Sequence, residues 1–450
     1  MDLRERLRLL KVAATQRDQE SRPAPTSGTG SNGLVGSGGL AGGEMTRVWP
    51  AGSDRASAIA GGCLDGYVLR NGSGEAFCLE TRYPVEYLRG PLSLEHIFAV
   101  PGAAWETIGR VPATADMRSA VFFDTETTGL AGGTGTHAFL IGLGYFEGFD
   151  FVLKQYFLRD YPEEDALLEA LAGDLARFSL LVTFNGKAFD WPLMETRYRL
   201  SRRRVPLAGI PHLDLLHPAR RVWKGRLAQC NLTNLEAQVL GVRRMGDVPG
   251  HLIPQLYFDY LRSGDATPLL DVVLHNRLDI LSLVALATWL GRIVTDPLSP
   301  TADGELVPGD DLYALARLFE ARGRSDEALV LYEAAVDRGA VAISPRLMMQ
   351  ELARAYKRLR RHDRALPIWE QMAGDPAGPS LHALVEMAKY YEHVARDIDR
   401  AHALAHEALA VAERRRSITG AGAGAYALAA AADVQDLQHR ISRLTRKRQR

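Results

Sequence analysis

The stretch Val121-Phe122-Phe123-Asp124-Thr125-Glu126-Thr127-Thr128-Gly129 decides the fold. Its run of apolar residues reads as a buried strand, and the strand delivers two carboxylates one residue apart at its polar end. Side chains at i and i+2 of a strand share a face, so Asp124 and Glu126 repel one another unless a cation lies between them. A hard divalent ion, Mg²⁺ or Mn²⁺, suits such oxygen donors. Taken alone, the pair also fits a strand that runs into a polar loop with solvated or capping acids.

Two further motifs bear on that choice. Leu181-Val182-Thr183-Phe184-Asn185-Gly186-Lys187-Ala188-Phe189-Asp190-Trp191-Pro192 is a second apolar strand, broken at Asn-Gly and leading into a helix, which sets Asp190 at the turn. By itself Asp190 also fits a plain helix cap with Pro192 in the first turn. Within a long apolar-periodic stretch from about Leu269 to Ile293 lies Leu274-His275-Asn276-Arg277-Leu278-Asp279-Ile280. On a helix His275 and Asp279 are i, i+4 neighbours and project from one face. A surface hydrogen-bonded pair has the same spacing.

In this order the three motifs resemble the DEDD exonucleases of the ribonuclease-H-like fold. The chain is most similar to the YprB-like predicted 3′-5′ exonucleases, over about residues 119 to 295, with Asp214-Leu215-Leu216-His217-Pro218-Ala219-Arg220-Arg221 as a further shared segment. The resemblance implies two divalent ions, Mg²⁺ or Mn²⁺, with Asp124 bridging them. Glu126 and Asp279 complete one site, and Asp190 supports the other. It also implies His275 as the group that deprotonates or orients the attacking water. Here the chain departs from the familiar subgroups, which carry His five residues or Tyr four residues before the last Asp. Candidate substrate contacts are Thr127 and Asn185 in the motifs, Trp191 and Phe189 for stacking on or wedging a terminal base, with Phe189 read more readily as a core residue, and Arg220 and Arg221 for phosphate. Arg197, Arg199, Arg202, Arg203 and Arg204 form a second basic cluster, equally compatible with a solvated helix face.

The chain has 450 residues, 46% of them hydrophobic, enough for two or three domains with full cores. Lys+Arg 54 balances Asp+Glu 54, so nucleic-acid affinity has to come from local patches. Cys63, Cys78 and Cys230 form neither a C-x-x-C nor a zinc pattern and read as reduced thiols. Without an apolar h-region behind the charged first residues, and without an uninterrupted run of some 18 apolar residues, the expectation is a cytoplasmic protein with no membrane partner. Gly28-Thr29-Gly30-Ser31-Asn32-Gly33 follows no apolar strand and precedes no Lys-Ser/Thr, which argues against a phosphate cradle.

Residues 1–55 read as a short amphipathic helix and a flexible Gly, Ser and Pro-rich linker. Residues 56–118 read as an N-terminal extension packed on the core. The ribonuclease-H-like domain at 119–295 is expected as a mixed α/β sheet, three antiparallel strands followed by parallel strands, flanked by helices. Residues 308–436 carry an internal repeat: Leu315-Ala316-Arg317 and Asp326-Glu327-Ala328-Leu329 recur as Leu352-Ala353-Arg354 and Asp363-Arg364-Ala365-Leu366, with a third copy at Met387-Ala388-Lys389 and Asp399-Arg400-Ala401. Paired helices with this period resemble tetratricopeptide repeats, which implies either a docking surface for a protein partner or a helical cap. Residues 437–450 read as a basic tail, either disordered or in contact with nucleic acid.

The expected function is therefore a metal-dependent nuclease, a 3′-5′ exonuclease acting on DNA or RNA, with a single-stranded 3′ end as the substrate. Two alternatives stand beside it: a non-catalytic nucleic-acid-binding scaffold with a repeat docking surface, and an endoribonuclease or RNA-processing nuclease. Four clustered acids repel phosphate and give a pure binding module no advantage.

Overall fold

A computed structural model describes residues 64–129, 135–300, 304–419 and 425–449. The expected N-terminal helix, the linker to residue 55, Cys63 and the glycine turn at 132–134 lie outside them. The chain divides into two compact units, Met1–Val307 and Pro308–Arg450.

In chain order the first unit contains β1 (Tyr67–Asn71), β2 (Gly74–Pro84), a small ribbon of β3 (Leu88–Arg89) and β4 (Leu92–Ser93), α1 (Gly102–Gly109), β5 (Ala120–Thr127), β6 (Ala138–Glu147) and β7 (Asp150–Phe157). There follow α2 (Glu164–Leu175), β8 (Leu180–Thr183), α3 (Asp190–Leu200), β9 (His212–Asp214), α4 (Leu216–Trp223), α5 (Leu232–Gln238), α6 (Ile253–Ser263) and α7 (Leu269–Thr295). Seven strands form one sheet in the order β1-β2-β7-β6-β5-β8-β9. Strands β5, β6 and β7 pair antiparallel, and β8 and β9 continue parallel from β5. This is the mixed sheet expected from the sequence, with one difference at its edge. In the N-terminal extension β1 and β2 prolong the sheet, with Phe77 of β2 opposite Phe157 of β7, while α1 packs on α7 with Trp105 buried.

Strand β5 lies between β6 and β8, so Ala120 to Phe123 are buried, and polarity returns only from Asp124, where the strand leaves the core. Helix α7 crosses the sheet against β5 and β6. Gly142 of β6 permits that approach: a Cβ there would come within 2.4 Å of Asn276 Oδ1. By length and composition α7 is apolar enough to cross a membrane, yet most of it is buried inside this unit. Among its polar residues His275, Asn276 and Asp279 lie in the N-terminal half. Cys78 and Cys230 are free thiols, and burial pushes Cys78 up to about 12, far from thiolate reactivity.

The second unit is helical: α8 (Gly309–Ala321), α9 (Ser325–Arg338), α10 (Pro345–Arg358), α11 (His362–Ala373), α12 (Leu381–His393), α13 (Ile398–Thr419) and α14 (Ala425–Arg448), each packed on its neighbours in sequence. Ala316, Ala353 and Ala388, equivalent in the repeat, are fully buried, where a small side chain lets helices approach. The turns repeat as well. Gly323, Arg360 and Arg396 all have left-handed φ; the N–H of Arg324 bonds back to Phe319 O and that of Arg361 to Tyr356 O, while at the third turn it is Ala395, just before Arg396, that bonds back to Tyr390 O. The basic tail is a correction to the sequence reading. Residues up to Arg448 belong to α14, and Arg440, Arg443 and Lys447 bond the buried Glu392 carboxylate of α12 at 3.0, 2.8 and 2.9 Å.

Candidate active site

Asp124 and Glu126 leave β5 on one face, opposite Gly142 and Leu140 of β6. Between them Thr125 points to the other motif, and its hydroxyl donates to Asp190 Oδ1 at 2.6 Å. Asp190 is the first residue of α3, reached through a tight loop that explains the Asn-Gly pair. Asn185 adopts φ 65°, and a Cβ on Gly186 would meet the Thr183 side chain at 2.6 Å. The loop is held from below by Asp214 at the end of β9. This buried carboxylate accepts the backbone N–H of Asn185 at 2.7 Å, of Lys187 at 3.1 Å and of Leu216 at 3.1 Å. Asp214 thus serves the geometry of the loop.

Helix α7 brings the third set. Asn276 Nδ2 donates to Asp124 Oδ2 at 2.9 Å. His275 and Asp279 face the cluster one helical turn apart, with His275 Nε2 at 3.6 Å from Asp279 Oδ2. One donor atom from each of Glu126, His275 and Asp279 lies within 4.8 Å of the others. Burial, then the charges of Asp279, Asp190 and Glu126, holds the Asp124 carboxyl well above the ordinary carboxylate range. Burial followed by Asp279 and Asp190 does the same to Glu126, and burial raises Asp190 to about 6 and also raises Asp279. Four buried acids that oppose one another's ionisation are a donor set that a divalent cation would relieve, so the residues present fit a metal.

Several participants were not apparent from the sequence. Arg244 and Asp247 lie in the segment between α5 and α6. Arg244 pairs with Asp279, bonds Glu236 Oε2 at 2.7 Å and reaches Asp247 Oδ2 at 3.2 Å. Burial works against the Arg244 charge, yet Glu236 and Asp279 hold it above the ordinary arginine value. Asp247 Oδ1 lies 2.7 Å from His275 Nδ1. Gln155 of β7 donates to Asn276 Oδ1 at 2.9 Å and so fixes the amide that serves Asp124. Only the acidic and basic letters of Arg244 and Asp247 signalled them, and their partners lie some thirty residues away.

The expected substrate contacts fare unevenly. Phe189, beside Asp190, is 57% exposed, whereas Trp191 is buried edge-on against Phe123, with ring centroids 5.7 Å apart. Trp191 therefore belongs to the core rather than to a base-stacking surface, because residue 191 already lies on the inward face of α3. Thr127 donates to Gly129 O at 2.9 Å, and Asn185 spends its backbone N–H on Asp214. Arg220 and Arg221 are exposed on α4, with Arg221 reaching Ile108 O at 3.4 Å. In the other basic cluster Arg197 is buried against Glu164, Arg199 pairs with Glu195 at 2.8 Å and Arg203 with Glu169 at 3.0 Å, so those three stabilise the fold.

A mixed sheet whose strand β5 carries D-x-E, joined by acids from α3 and the long helix α7, defines a ribonuclease-H-like domain. Residues 121–291 match the RNase_H_2 family of the RNase_H superfamily. The chain is also 32% identical over 383 residues, 83% of its length and 87% of the other, to the Bacillus subtilis (strain 168) protein described as uncharacterized protein YprB. It belongs to the family of that protein, within the RNase_H superfamily. At the coarse level that membership is of a nuclease-like, phosphodiester-hydrolysing class.

Proposed function

We propose that this protein is a divalent-metal-dependent 3′-5′ exonuclease of the DEDD type, acting on single-stranded ends of DNA or RNA. The observation that carries the reading is the convergence of four largely buried carboxylates, Asp124, Glu126, Asp190 and Asp279, each held above the usual carboxylate range in the same place. The other three acids all act on Asp124, which would be the residue to share two ions, Mg²⁺ or Mn²⁺. Glu126 and Asp279 would hold one of them and Asp190 the other. When bound, such a pair supplies charge stabilisation to both the attacking and the departing oxygen of an in-line displacement. His275, on the Asp279 face of α7, is the proton acceptor for the attacking water. Phe189 offers an exposed ring beside Asp190 for the terminal base, and Arg220 and Arg221 offer charge to the phosphates.

The repeat unit is proposed as a tetratricopeptide-like docking surface for a protein partner, on the strength of its recurring turns and buried alanines. A scaffold that only binds nucleic acid would have no use for the acid cluster. The test uses single-stranded DNA and RNA labelled at the 5′ end, with Mg²⁺ and with Mn²⁺. A ladder that shortens one nucleotide at a time from the 3′ end is expected. Discrete internal products would replace this reading with an endonuclease, and uncleaved substrate in the presence of bound metal would replace it with a scaffold.

A further inference from the structure

We propose that Asp247 is a positioning residue for this site: it fixes the tautomer of His275, so that Nδ1 carries the proton and the Nε2 lone pair faces Glu126 and Asp279. The inference rests on the reading of His275 as proton acceptor. Distances decide where the proton lies. Asp247 Oδ1 is 2.7 Å from Nδ1, within the range of a charge-assisted hydrogen bond, whereas Asp279 Oδ2 is 3.6 Å from Nε2, beyond it. The guanidinium of Arg244 also approaches Nδ1, but at 3.5 Å it is at the limit of any bond and competes poorly with the carboxylate. A neutral imidazole has one N–H and one lone pair, so an acceptor at Nδ1 leaves Nε2 as the base.

The support behind Asp247 is unusually complete. Its second oxygen is held by Arg244 Nη1 at 3.2 Å. Arg244 is in turn fixed by Glu236, which is fully buried and also receives Arg89 Nη2 at 2.8 Å. Ser282 of α7 bonds the same Glu236, and Arg89 Nε donates to Ser282 Oγ at 2.9 Å. The chain of contacts runs from β3 through α5 to α7 and ends on the two groups that matter: Arg244 takes Oδ1 of Asp279, leaving Oδ2 toward the cluster, and Asp247 takes Nδ1 of His275, leaving Nε2 toward it. One segment thereby sets which atom of each residue is available. An i, i+4 pair on a helix would otherwise be free to satisfy itself, His275 Nε2–H to Asp279 carboxylate, with the lone pair moved to Nδ1 and none left at Nε2 for water.

The experiment is ¹⁵N NMR of the full-length protein labelled at histidine, recorded at alkaline pH, metal-free and with Mg²⁺, with His275→Gln to identify the resonances. His275 is expected in the Nδ1–H form in wild type and in Asp247→Glu. In Asp247→Ala it is expected to move to the Nε2–H form, with kcat lowered about ten- to hundredfold and KM unchanged. A wild-type His275 already in the Nε2–H form overturns the inference and needs no variant. So does an Asp247→Ala protein with the wild-type tautomer and kcat. Should the wild-type protein hydrolyse nothing, the exonuclease reading fails, while the tautomer of His275 still decides the role of Asp247 separately.

Discussion

Asn276 of α7 and Asp124 of β5 are joined by a 2.9 Å hydrogen bond, and the same amide receives Gln155 at 2.9 Å from β7. The residue next to His275 therefore holds the carboxylate that opens the first motif. Two strands and the last helix meet in that single side chain. Its bond favours the charged form of Asp124, against burial and the neighbouring acids.

Asn276→Ala is accordingly expected to weaken divalent-metal binding about ten- to hundredfold, the usual cost of losing a group that orients a ligand. Calorimetric titration with Mn²⁺ measures it. Unchanged affinity in a folded variant would separate Asn276 from the metal and leave it a packing residue under Gly142.

The acid cluster makes a definite statement about pH. Burial first, and mutual repulsion second, raise Asp124 and Glu126; burial raises Asp279 and takes Asp190 to about 6. A carboxyl raised in the folded state contributes stability that is complete below its unfolded value, near 4, and is lost as pH rises through the folded value. In chelator, the part of stability due to these groups should therefore fall as pH rises above about 4, the Asp190 part through about pH 6, and Mg²⁺ or Mn²⁺ should restore it. Asp124→Asn should melt higher than wild type in chelator at pH 7.5, by at least ~2 °C, and lose the response to metal. Melting curves at pH 5 and 7.5 check both, and a variant that melts lower than wild type without metal would contradict the assignment.

How much of this was legible in the sequence differs from residue to residue. Asp124, Glu126, Asp190, His275 and Asp279 could be found because each follows an apolar strand or lies at helical spacing, and local periodicity carries that signal. The sheet order around β5 was legible for the same reason. Asp247 and Arg244 were not, because the segment between α5 and α6 has no period, and their partners, His275 and Asp279, become neighbours only when α7 crosses the sheet. The extension at 56–118 was read as a packed segment, but the pairing of its β2 with β7 is a non-local hydrogen-bond register that no short pattern encodes. Phe189 and Trp191 exchange the places read for them, Phe189 being exposed and Trp191 packed on Phe123, because which of two aromatics flanking Asp190 faces inward depends on a helix phase that no short pattern gives.

Phe189 and Trp191 should separate cleanly under substitution. Phe189→Ala, at a 57% exposed position, is expected to raise KM for single-stranded substrate severalfold with little change in melting. Trp191→Ala removes a ring packed on Phe123 and should destabilise the fold by about 3 to 5 kcal/mol. Urea unfolding and steady-state kinetics distinguish the two, and equal loss of stability from both would show Phe189 to be packed.

In the helical unit, burial works against the Glu392 carboxylate, but Arg443 and Lys447 hold it down at about 2. A depressed carboxyl gives stability that is present above the unfolded value, near 4.3, and is lost as pH falls through the folded one. Glu392→Gln should cost about 1 kcal/mol at pH 7, a modest figure because Arg443 and Lys447 are part-exposed and screened. The difference from wild type should close as pH approaches 2. Denaturation of the full chain followed at both pH values tests it, and a gap that persists in acid would assign the effect to packing.

The central claim is that the cluster around Asp124 hydrolyses nucleic acid with divalent metal. It is tested most directly by comparing wild type and Asp124→Ala, purified in parallel and matched for folding, on end-labelled single-stranded DNA and RNA with Mn²⁺. Wild type is expected to release nucleotides from the 3′ end, to stop in chelator, and to lose on the order of a hundredfold or more of its rate in Asp124→Ala. Equal rates for the two proteins, or no hydrolysis by wild type with metal bound, would contradict the account.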